Sequence, residues 1–247
     1  MAGRLSGDYD RRADPLRQML LSYRLTGPHV QAPSSPVSSP QTRPHERLPA
    51  LLQRHRAKAW RAPLAQHNVL AIEQLEQRLR CANRPLILDS FCGTGHSTAE
   101  LARRHPGHLL IGIDKSGHRL QRHPGGNTDN YLLLQADCEA IWQHLVERAV
   151  RVDYHYLLYP NPWPKPGHLQ RRIHGHPAFP RLLQLGGRVE LRSNWQLYVE
   201  EFGLALQLCG IPGLVRRIEP HPPITLFERK YHDSGHQLWS CHAQLPM

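Results

Sequence analysis

The sequence predicts an α/β fold: a mostly parallel, seven-stranded sheet with helices on both faces and a C-terminal antiparallel strand pair. Three observations predict it. Apolar, strand-like segments alternate with helical segments from about residue 85 onward, which is the arrangement that builds parallel sheets. The first strand runs directly into a Gly-x-Gly turn and a helix. The chain has 247 residues, enough for one full α/β domain and an extension.

Residues 1–45 are predicted to form a disordered, basic tail outside this domain. The stretch 28–44, PHVQAPSSPVSSPQTRP, is rich in Pro and Ser and poor in core-forming residues. The scattered arginines of the tail leave a second interpretation open, a loose RNA-binding arm. A plain disordered tail is the simpler interpretation.

From residue 46 to the C-terminus the chain is predicted to form one domain, with two helices over residues 46–82 and the α/β core over residues 83–247. Both helices are predicted from apolar residues at three- and four-residue spacing, which line one helix face. The second repeats this spacing from Val69 to Leu79. We expect both helices to pack beside the first strand.

Five strands are predicted in the core, alternating with helices. The strands are expected over residues 85–90, 109–114, 131–137, 152–159 and 187–193. The helices are expected over residues 97–104, 139–148, 177–183 and 195–209. The antiparallel pair is predicted over residues 224–231 and 236–243, because Asp233-Ser234-Gly235 between them is a turn signal.

The formal net charge of +11 favours a polyanionic partner, with RNA or DNA first. The competing explanation is solubility or arginine-rich codon usage, because arginine far outnumbers lysine. The sequence shows neither an apolar leader nor a run long enough to span a bilayer. We therefore expect a cytoplasmic protein without a membrane partner, and we favour a monomer.

A metal centre and a disulfide framework are not predicted. The five cysteines are odd in number, widely spaced and without a Cys-x-x-Cys pair. His168, His174 and His176 lie close together in sequence, but no Cys or acidic residue beside them completes a ligand set. Phosphate contacts or an ordinary surface explain them more simply.

A nucleotide site is predicted where the first strand ends, in LILDSFCGTG over residues 86–95. Gly93 and Gly95 let the backbone approach a ligand closely. The second strand ends in Asp114, about 20 residues beyond the turn, where a ribose-binding acid belongs in a Rossmann-like site. The third ends in Asp137, at a position suited to an adenine amino group. Loop capping is the competing role for Asp89 and Asp137.

The glycine pattern distinguishes between two cofactors. An NAD enzyme is expected to have G-x-G-x-x-G, but His96-Ser97-Thr98 follows Gly95 here. The pattern acid-x-Gly-x-Gly-x-Gly of methyltransferases that use S-adenosylmethionine is matched by Asp89, Gly93 and Gly95, with Phe91 in place of its first glycine. The turn therefore favours S-adenosylmethionine.

A substrate loop is predicted after the fourth strand, in Pro160-Asn161-Pro162-Trp163-Pro164-Lys165. Its three alternating prolines stiffen the chain at the carboxyl edge of the sheet. Asn161 would face the transferred methyl group, and Trp163 could stack on a base or cover the cofactor. Lys165, His168, Arg171 and Arg172 form a cationic run. A structural proline turn with a solvated basic face is the competing interpretation.

At this loop the chain resembles the bacterial tRNA guanine-N7 methyltransferases, a family of the class I methyltransferase superfamily. The family's hallmark is Pro-Asp-Pro-Trp-Pro-Lys followed by a His/Arg-rich stretch that ends in Arg-Arg. Thr225-Leu226-Phe227-Glu228 resembles a second family motif, and residues 111–116, IGIDKS, resemble its second-strand motif. The resemblance covers about residues 85–240 and leaves the N-terminal tail outside.

The resemblance implies a tRNA substrate, S-adenosylmethionine contacts at Asp89, Asp114 and Asp137, and substrate contacts at Lys165, Asn194, Thr225 and Glu228. The further candidate cofactor residues are Gly93, Gly95, Lys115 and Cys138. The further candidate substrate residues are Trp163, Arg171, Arg172 and Phe227. Asn161 is the candidate catalytic residue. Asn161 and Asn194 each replace an aspartate of the family pattern.

The two asparagines leave three outcomes open. Guanine N7 carries a free lone pair, so methyl transfer needs positioning rather than a general base. A carboxylate still helps, because it accepts from N1–H and the 2-amino group and offsets the ring's charge, whereas an amide has one acceptor and one donor group. The three interpretations, in order of preference, are methylation of N7 with help from Glu228 or Glu190, methylation of another group such as an exocyclic amine or a small molecule, and RNA binding without turnover.

Overall fold

The computed structural model describes residues 34–58, 60–61, 63–126 and 128–246. The strands are β1 (Leu86–Ser90), β2 (Leu109–Asp114), β3 (Tyr131–Gln135), β4 (Tyr154–Leu158), β5 (Arg188–Ser193), β6 (Gly213–Ile218) and β7 (Leu238–Gln244). They form one sheet in the order β3-β2-β1-β4-β5-β7-β6. Strands β1 to β5 pair in parallel, and β7 pairs antiparallel with both β5 and β6. The predicted fold class is confirmed.

The helices in the described ranges are α1 (Leu48–Ala57), α2 (Gln66–Cys81), α3 (His96–Arg104), α4 (Gly117–Leu120), α5 (Cys138–Glu147), α6 (Phe179–Gln184), α7 (Gln196–Leu208) and α8 (Leu226–Asp233). Two short 3-10 helices, Pro166–Arg171 and Ile173–Gly175, follow the proline loop. Within these ranges, none of the helices combines the length and the apolar character that crossing a bilayer requires.

The core lies on both faces of the central strands. Every residue of β1 and β2 is buried, as expected for parallel strands that are covered on both sides. Leu75 of α2, Trp142 of α5 and Phe202 of α7 belong to one buried cluster, and Leu101 of α3 belongs to the other. The strand order reverses between β1 and β4, which is where open α/β sheets bind ligands beyond their carboxyl ends.

The C-terminal antiparallel pair exists, but its first member was predicted in the wrong place. Residues 224–231 were expected to be a strand, whereas Leu226–Asp233 is helix α8. Thr225 begins this helix, because its hydroxyl accepts a hydrogen bond from the backbone N–H of Glu228 at 2.8 Å. The strand that pairs with β7 is instead β6, over Gly213–Ile218.

Residues 34–45, which were expected to belong to the disordered tail, are ordered against the domain by polar contacts. The Ser39 hydroxyl donates to the carbonyl of Pro164 at 2.6 Å. The backbone N–H of His45 donates to Glu201 Oε1 at 2.7 Å. These contacts are made by polar groups, which the low apolar content of the segment does not indicate. The rest of the tail predicted over residues 1–45, residues 1–33, lies outside the described residues.

Candidate cofactor and substrate site

The glycine turn after β1 has left-handed backbone at three alternating residues, Phe91, Gly93 and Gly95, with φ angles of 65°, 64° and 75°. Gly95 needs glycine for its left-handed conformation, and a Cβ there would also lie 2.6 Å from the end of the Leu133 side chain, which would have to shift. Phe91 occupies the first glycine position of the methyltransferase pattern and takes up a conformation that costs a non-glycine residue about 1–3 kcal/mol. Its ring packs edge-on against Trp142, with centroids 5.9 Å apart.

Asp89 lies fully buried beneath this turn with one carboxylate oxygen engaged and one unused. Its Oδ2 accepts hydrogen bonds from the hydroxyls of Ser97 and Thr98, both at 2.7 Å. Its Oδ1 is buried and has no hydrogen-bond partner among the described residues. Burial raises the pKa of Asp89 to about 6, against the opposing effect of the two hydroxyls. A buried acceptor without a partner is costly, and a cationic donor would satisfy it.

Asp114 ties the glycine turn to the end of β2. Its Oδ2 accepts from the backbone N–H of Gly93 at 2.9 Å. Its Oδ1 accepts from Ser116 N–H at 2.8 Å and pairs with Arg119 at 3.1 Å. A carboxylate has about four acceptor positions, so three of them are used and one is left for a ligand hydroxyl.

Asp137 is held by α2, a helix to which no site role was assigned from the sequence. Its Oδ2 accepts from Asn68 Nδ2 at 3.0 Å and lies 3.2 Å from His67 Nε2. Asn68 also accepts from the backbone N–H of Asp137 at 2.9 Å. Asn68 lies on the buried face of α2 with Ala71 and Leu75, three and seven positions later, and a polar residue at that apolar spacing is the sequence signal that identifies it.

The two other predicted cofactor residues have different surroundings. Lys115 is exposed beside Asp114. Cys138 is buried below the turn, where the backbone N–H of Phe91 points at its sulfur at 3.3 Å. Burial raises the pKa of the Cys138 thiol well above its usual value, so it is a neutral packing residue.

The proline loop is held by its own asparagine. Asn161 is exposed, and its Oδ1 accepts from the backbone N–H of Trp163 at 3.3 Å, which leaves the amide N–H₂ available. Tyr159 and Trp163 have positive φ angles of 53° and 48°, so the loop turns sharply at both ends. Since β4 lies next to β1, this loop borders the glycine turn.

The Trp163 ring packs against two basic side chains of the loop, Arg171 and His168. The Arg171 guanidinium lies 4.9 Å from the centroid of the Trp163 ring, and His168 packs edge-on against that ring at 5.5 Å. Lys165 and Arg171 are exposed. Both cations are therefore available to a phosphate.

Arg172 is not available, and its expected contact with substrate is corrected. The side chain is fully buried and forms an ion pair with Glu201. It also donates to Gln41 Oε1 at 2.9 Å and to the carbonyl of Trp163 at 3.2 Å. Glu201 accepts from His174 as well, and although burial acts in the opposite direction, these partners lower the pKa of Glu201 to about 2. Arg172 therefore fixes the loop from below.

Asn194 lies at the end of β5 in a chain of hydrogen bonds that the sequence did not indicate. Its Nδ2 is 3.1 Å from His236 Nδ1, and His236 Nε2 is 2.8 Å from the backbone carbonyl of Ser34. A carbonyl oxygen can only accept, so Nε2 donates to it, and Nδ1 accepts from Asn194 Nδ2. The Oδ1 of Asn194 therefore remains free to accept from a ligand.

Glu228 is fully buried and both of its carboxylate oxygens are engaged by protein donors, which corrects its expected direct contact with substrate. It accepts from the Tyr159 hydroxyl at 3.0 Å, from Arg192 at 2.9 Å and from the backbone N–H of Ile224 at 2.6 Å. It thus joins the ends of β4 and β5 to α8, while the Thr225 hydroxyl caps that helix. Tyr159 and Arg192 were not singled out from the sequence.

Phe227 is half exposed on α8 and belongs to an aromatic stack. Its ring lies 6.1 Å from that of Tyr231, and Tyr231 lies 5.3 Å from His236, both nearly parallel. Since His236 contacts Asn194, the stack leads from the surface to the end of β5. An exposed aromatic face beside polar groups suits a nucleobase.

Comparison with known proteins identifies one family and several relatives. A family described as "Putative methyltransferase" matches residues 83–241. A tRNA (guanine-N(7)-)-methyltransferase of Pseudomonas syringae pv. syringae is 29% identical over 248 aligned positions, which cover 87% of this chain and 97% of that protein. One from Verminephrobacter eiseniae is 30% identical over 166 positions, 62% of this chain and 59% of that protein, so the match spans less than two thirds of that relative.

Solved structures share the fold at lower identity. The 16S rRNA methyltransferase KamB superposes with a TM-score of 0.53 at 17% sequence identity, covering 71% of this chain and 94% of that one. At that identity the likeness concerns the fold alone.

Proposed function

This chain belongs to the methyltransferase family that matches residues 83–241, and from that premise we propose that it transfers a methyl group from S-adenosylmethionine to N7 of a guanine in tRNA. The observation that carries the proposal is the buried, unpartnered Oδ1 of Asp89 beneath a left-handed Gly93–Gly95 turn. The tRNA substrate and the N7 target are supported by the names of the relatives. The cytoplasm is the proposed compartment.

The residues at the strand ends fit S-adenosylmethionine. Asp89 Oδ1 would accept a hydrogen bond from the ammonium group of the cofactor. This cationic donor would satisfy the buried oxygen, which has no partner among the described residues. Asp114 has one acceptor position for a ribose hydroxyl, and Asp137 would accept from the adenine amino group. Lys115 and Cys138 flank these acids. Bound there, the cofactor supplies an electrophilic methyl group.

The substrate side provides position rather than acid or base chemistry. Guanine N7 needs no deprotonation, so the protein has to hold the base in line with the methyl group. We propose that the free amide N–H₂ of Asn161 donates to guanine O6, the acceptor next to N7. Trp163 and Phe227 would offer aromatic faces, and Lys165 and Arg171 would contact phosphate.

Transfer of tritium from labelled S-adenosylmethionine to a tRNA transcript tests the proposal. We expect the label as 7-methylguanosine after nucleoside digestion. A transcript made with 7-deazaguanosine lacks the N7 lone pair and is expected to remain unlabelled. Asn161→Ala should lower kcat/KM at least tenfold, whereas Gln143→Ala, a half-buried amide on α5 away from the loop, should not change it. Label on an amino group or on small molecules only, or RNA binding without label, would replace the proposed reaction by one of the alternatives.

A further inference from the structure

One face of the β5–β7–β6 part of the sheet, called here the open face, is exposed to solvent at Arg188, Leu214, Arg216 and Gln244, whereas Leu238 and Ser240 on it are buried. Helix α7 packs on the other face, where Gly203 lies against Val215 and Cys241. Side chains alternate along a strand, so the even-numbered residues of β5, β6 and β7 point away from α7. The strand register places these residues in three rows across the open face. Arg188 of β5 pairs with Gln244 of β7. The next rows, from β5 through β7 to β6, are Glu190–His242–Leu214 and Arg192–Ser240–Arg216. Leu214 is 62% exposed, and Arg188, Arg216 and Gln244 are also exposed.

The open face carries an excess of positive charge. Arg188 and Arg216 have no ion-pair partner among the described residues, whereas Arg192 pairs with Glu190 and Glu228. The positive charge of the arginines is felt at His242, in the middle of the face. Burial lowers the pKa of His242 most. Arg216, Arg192 and Arg188 lower it further, whereas Glu190 raises it. Glu190 is the one acidic neighbour that offsets this field at His242.

We propose that the open β5–β7–β6 face binds the sugar-phosphate backbone of the RNA substrate through Arg188 and Arg216. The proposal rests on the proposed function for the identity of the RNA. Two exposed, unpaired guanidinium groups suit phosphate, which Arg binds through a fork of N–H donors. The face is continuous with the substrate site, because β5 ends at Ser193, directly before Asn194. An RNA whose base reaches Asn194 would follow β5 for about 20 Å, six residues at about 3.3 Å each, before it reaches Arg188.

A second copy of this chain fits the face less well. A twofold dimer through this surface would bring the same residues of both copies together. Arg188 and Arg216 would then face like charges, with Glu190 already paired to Arg192. A net charge of +11 over the chain also favours a polyanion.

The test compares an Arg188→Ala/Arg216→Ala double variant with a control of equal charge, Arg80→Ala/Arg103→Ala. The control arginines are exposed and pair with glutamates of their own helices. We expect the tRNA dissociation constant of the first variant to rise at least tenfold at low salt. The slope of log K against log salt should fall by about 2, one for each lost phosphate contact. S-adenosylmethionine affinity and kcat at saturating tRNA should stay within twofold.

Unchanged tRNA affinity, or an equal loss in the control, overturns the inference. A wild-type dimer in sedimentation that the first variant dissociates overturns it as well, because the face would then be covered by a second copy. The proposed function fails separately: wild-type protein that binds tRNA through this face without labelling it would refute the reaction and support the RNA surface.

Discussion

Replacing Asp89 by asparagine is expected to stabilise the fold at neutral pH and to weaken cofactor binding. Asp89 Oδ2 already accepts both hydroxyl hydrogen bonds, so an amide oxygen there keeps both, and the amide nitrogen replaces the oxygen that has no partner. The pKa of about 6, against about 4 for an exposed aspartate, means that the ionised carboxylate costs about 3 kcal/mol of folding free energy. A buried amide without a partner costs about 1–2 kcal/mol of this gain.

The sign of the pH dependence follows from the raised pKa of Asp89. The wild-type contribution is complete below about pH 4, where the acid is protonated in both states, and it is lost as pH rises through about 6. Asp89→Asn should therefore exceed wild type by about 1–2 kcal/mol at pH 7.5, and the difference should vanish or reverse at pH 4.5. Urea unfolding at both pH values measures this. Asp129→Asn, an exposed control, should change neither value.

Cofactor binding is expected to change in the opposite direction. A hydrogen bond to a charged group contributes about 1.5–3 kcal/mol, so losing the Asp89 carboxylate should weaken S-adenosylmethionine about 10- to 100-fold in calorimetry. Two results would refute the reasoning: a variant that is less stable than wild type at pH 7.5, or one that is more stable yet binds the cofactor as tightly as wild type. The second would mean that Oδ1 faces something other than the ammonium group.

Three further predictions follow from the same geometry. Glu201→Gln should lower the free energy of unfolding by about 3–5 kcal/mol, because Arg172 is left buried without a counter-charge. Glu200→Gln on the same helix should lower it by less than about 0.5 kcal/mol. Equal losses in chemical unfolding would contradict the buried ion pair. Gly95→Ala should lower the melting temperature and lower the affinity for S-adenosylmethionine at least tenfold in calorimetry. The reason is that alanine would have to adopt a φ of 75°, with its Cβ 2.6 Å from a leucine side chain. Binding as tight as in the wild type would show that the turn can relax. Asn161→Asp should lower kcat/KM on tRNA at least tenfold, because it removes the donor to guanine O6; a rise would show that the asparagine is a loss relative to the family's aspartate.

The central strands could be predicted closely because their burial on both faces leaves continuous apolar runs. The β2 bounds match, and β1 begins one residue later than expected. Strand β6 gave no such signal, because an edge strand with two arginines alternates weakly. The start of helix α8 is signalled by Thr225 and Glu228, but the strand prediction over residues 224–231 follows from the Asp233-Ser234-Gly235 turn signal, which in the structure ends the helix instead.

The side-chain roles around the substrate loop could not be predicted, because they depend on partners far away in sequence. Arg171 and Arg172 look equivalent in the chain, yet one is exposed beside Trp163 and the other is buried on Glu201. The same glutamate orders His45, which lies 156 positions away. Sequence spacing identifies the charge that a segment carries, and tertiary contacts decide whether that charge faces solvent or its own counter-ion.

The hydrogen bonds around the two asparagines also bear on the choice of base. Asn161 uses its oxygen to accept from Trp163 and presents a donor. Asn194 uses its nitrogen to donate to His236, which Ser34 fixes as an acceptor, and presents an oxygen. One donor and one acceptor match guanine, whose O6 accepts and whose N1–H and 2-amino group donate, whereas adenine has an amino group in place of O6 and no N1–H. On the proposed function, the amide N–H₂ of Asn161 and the Oδ1 of Asn194 would together favour guanine over adenine without a carboxylate. Two amides place no negative charge beside the ring. We therefore expect the replacement of aspartate by asparagine to lower the rate of methyl transfer rather than to change the choice of base.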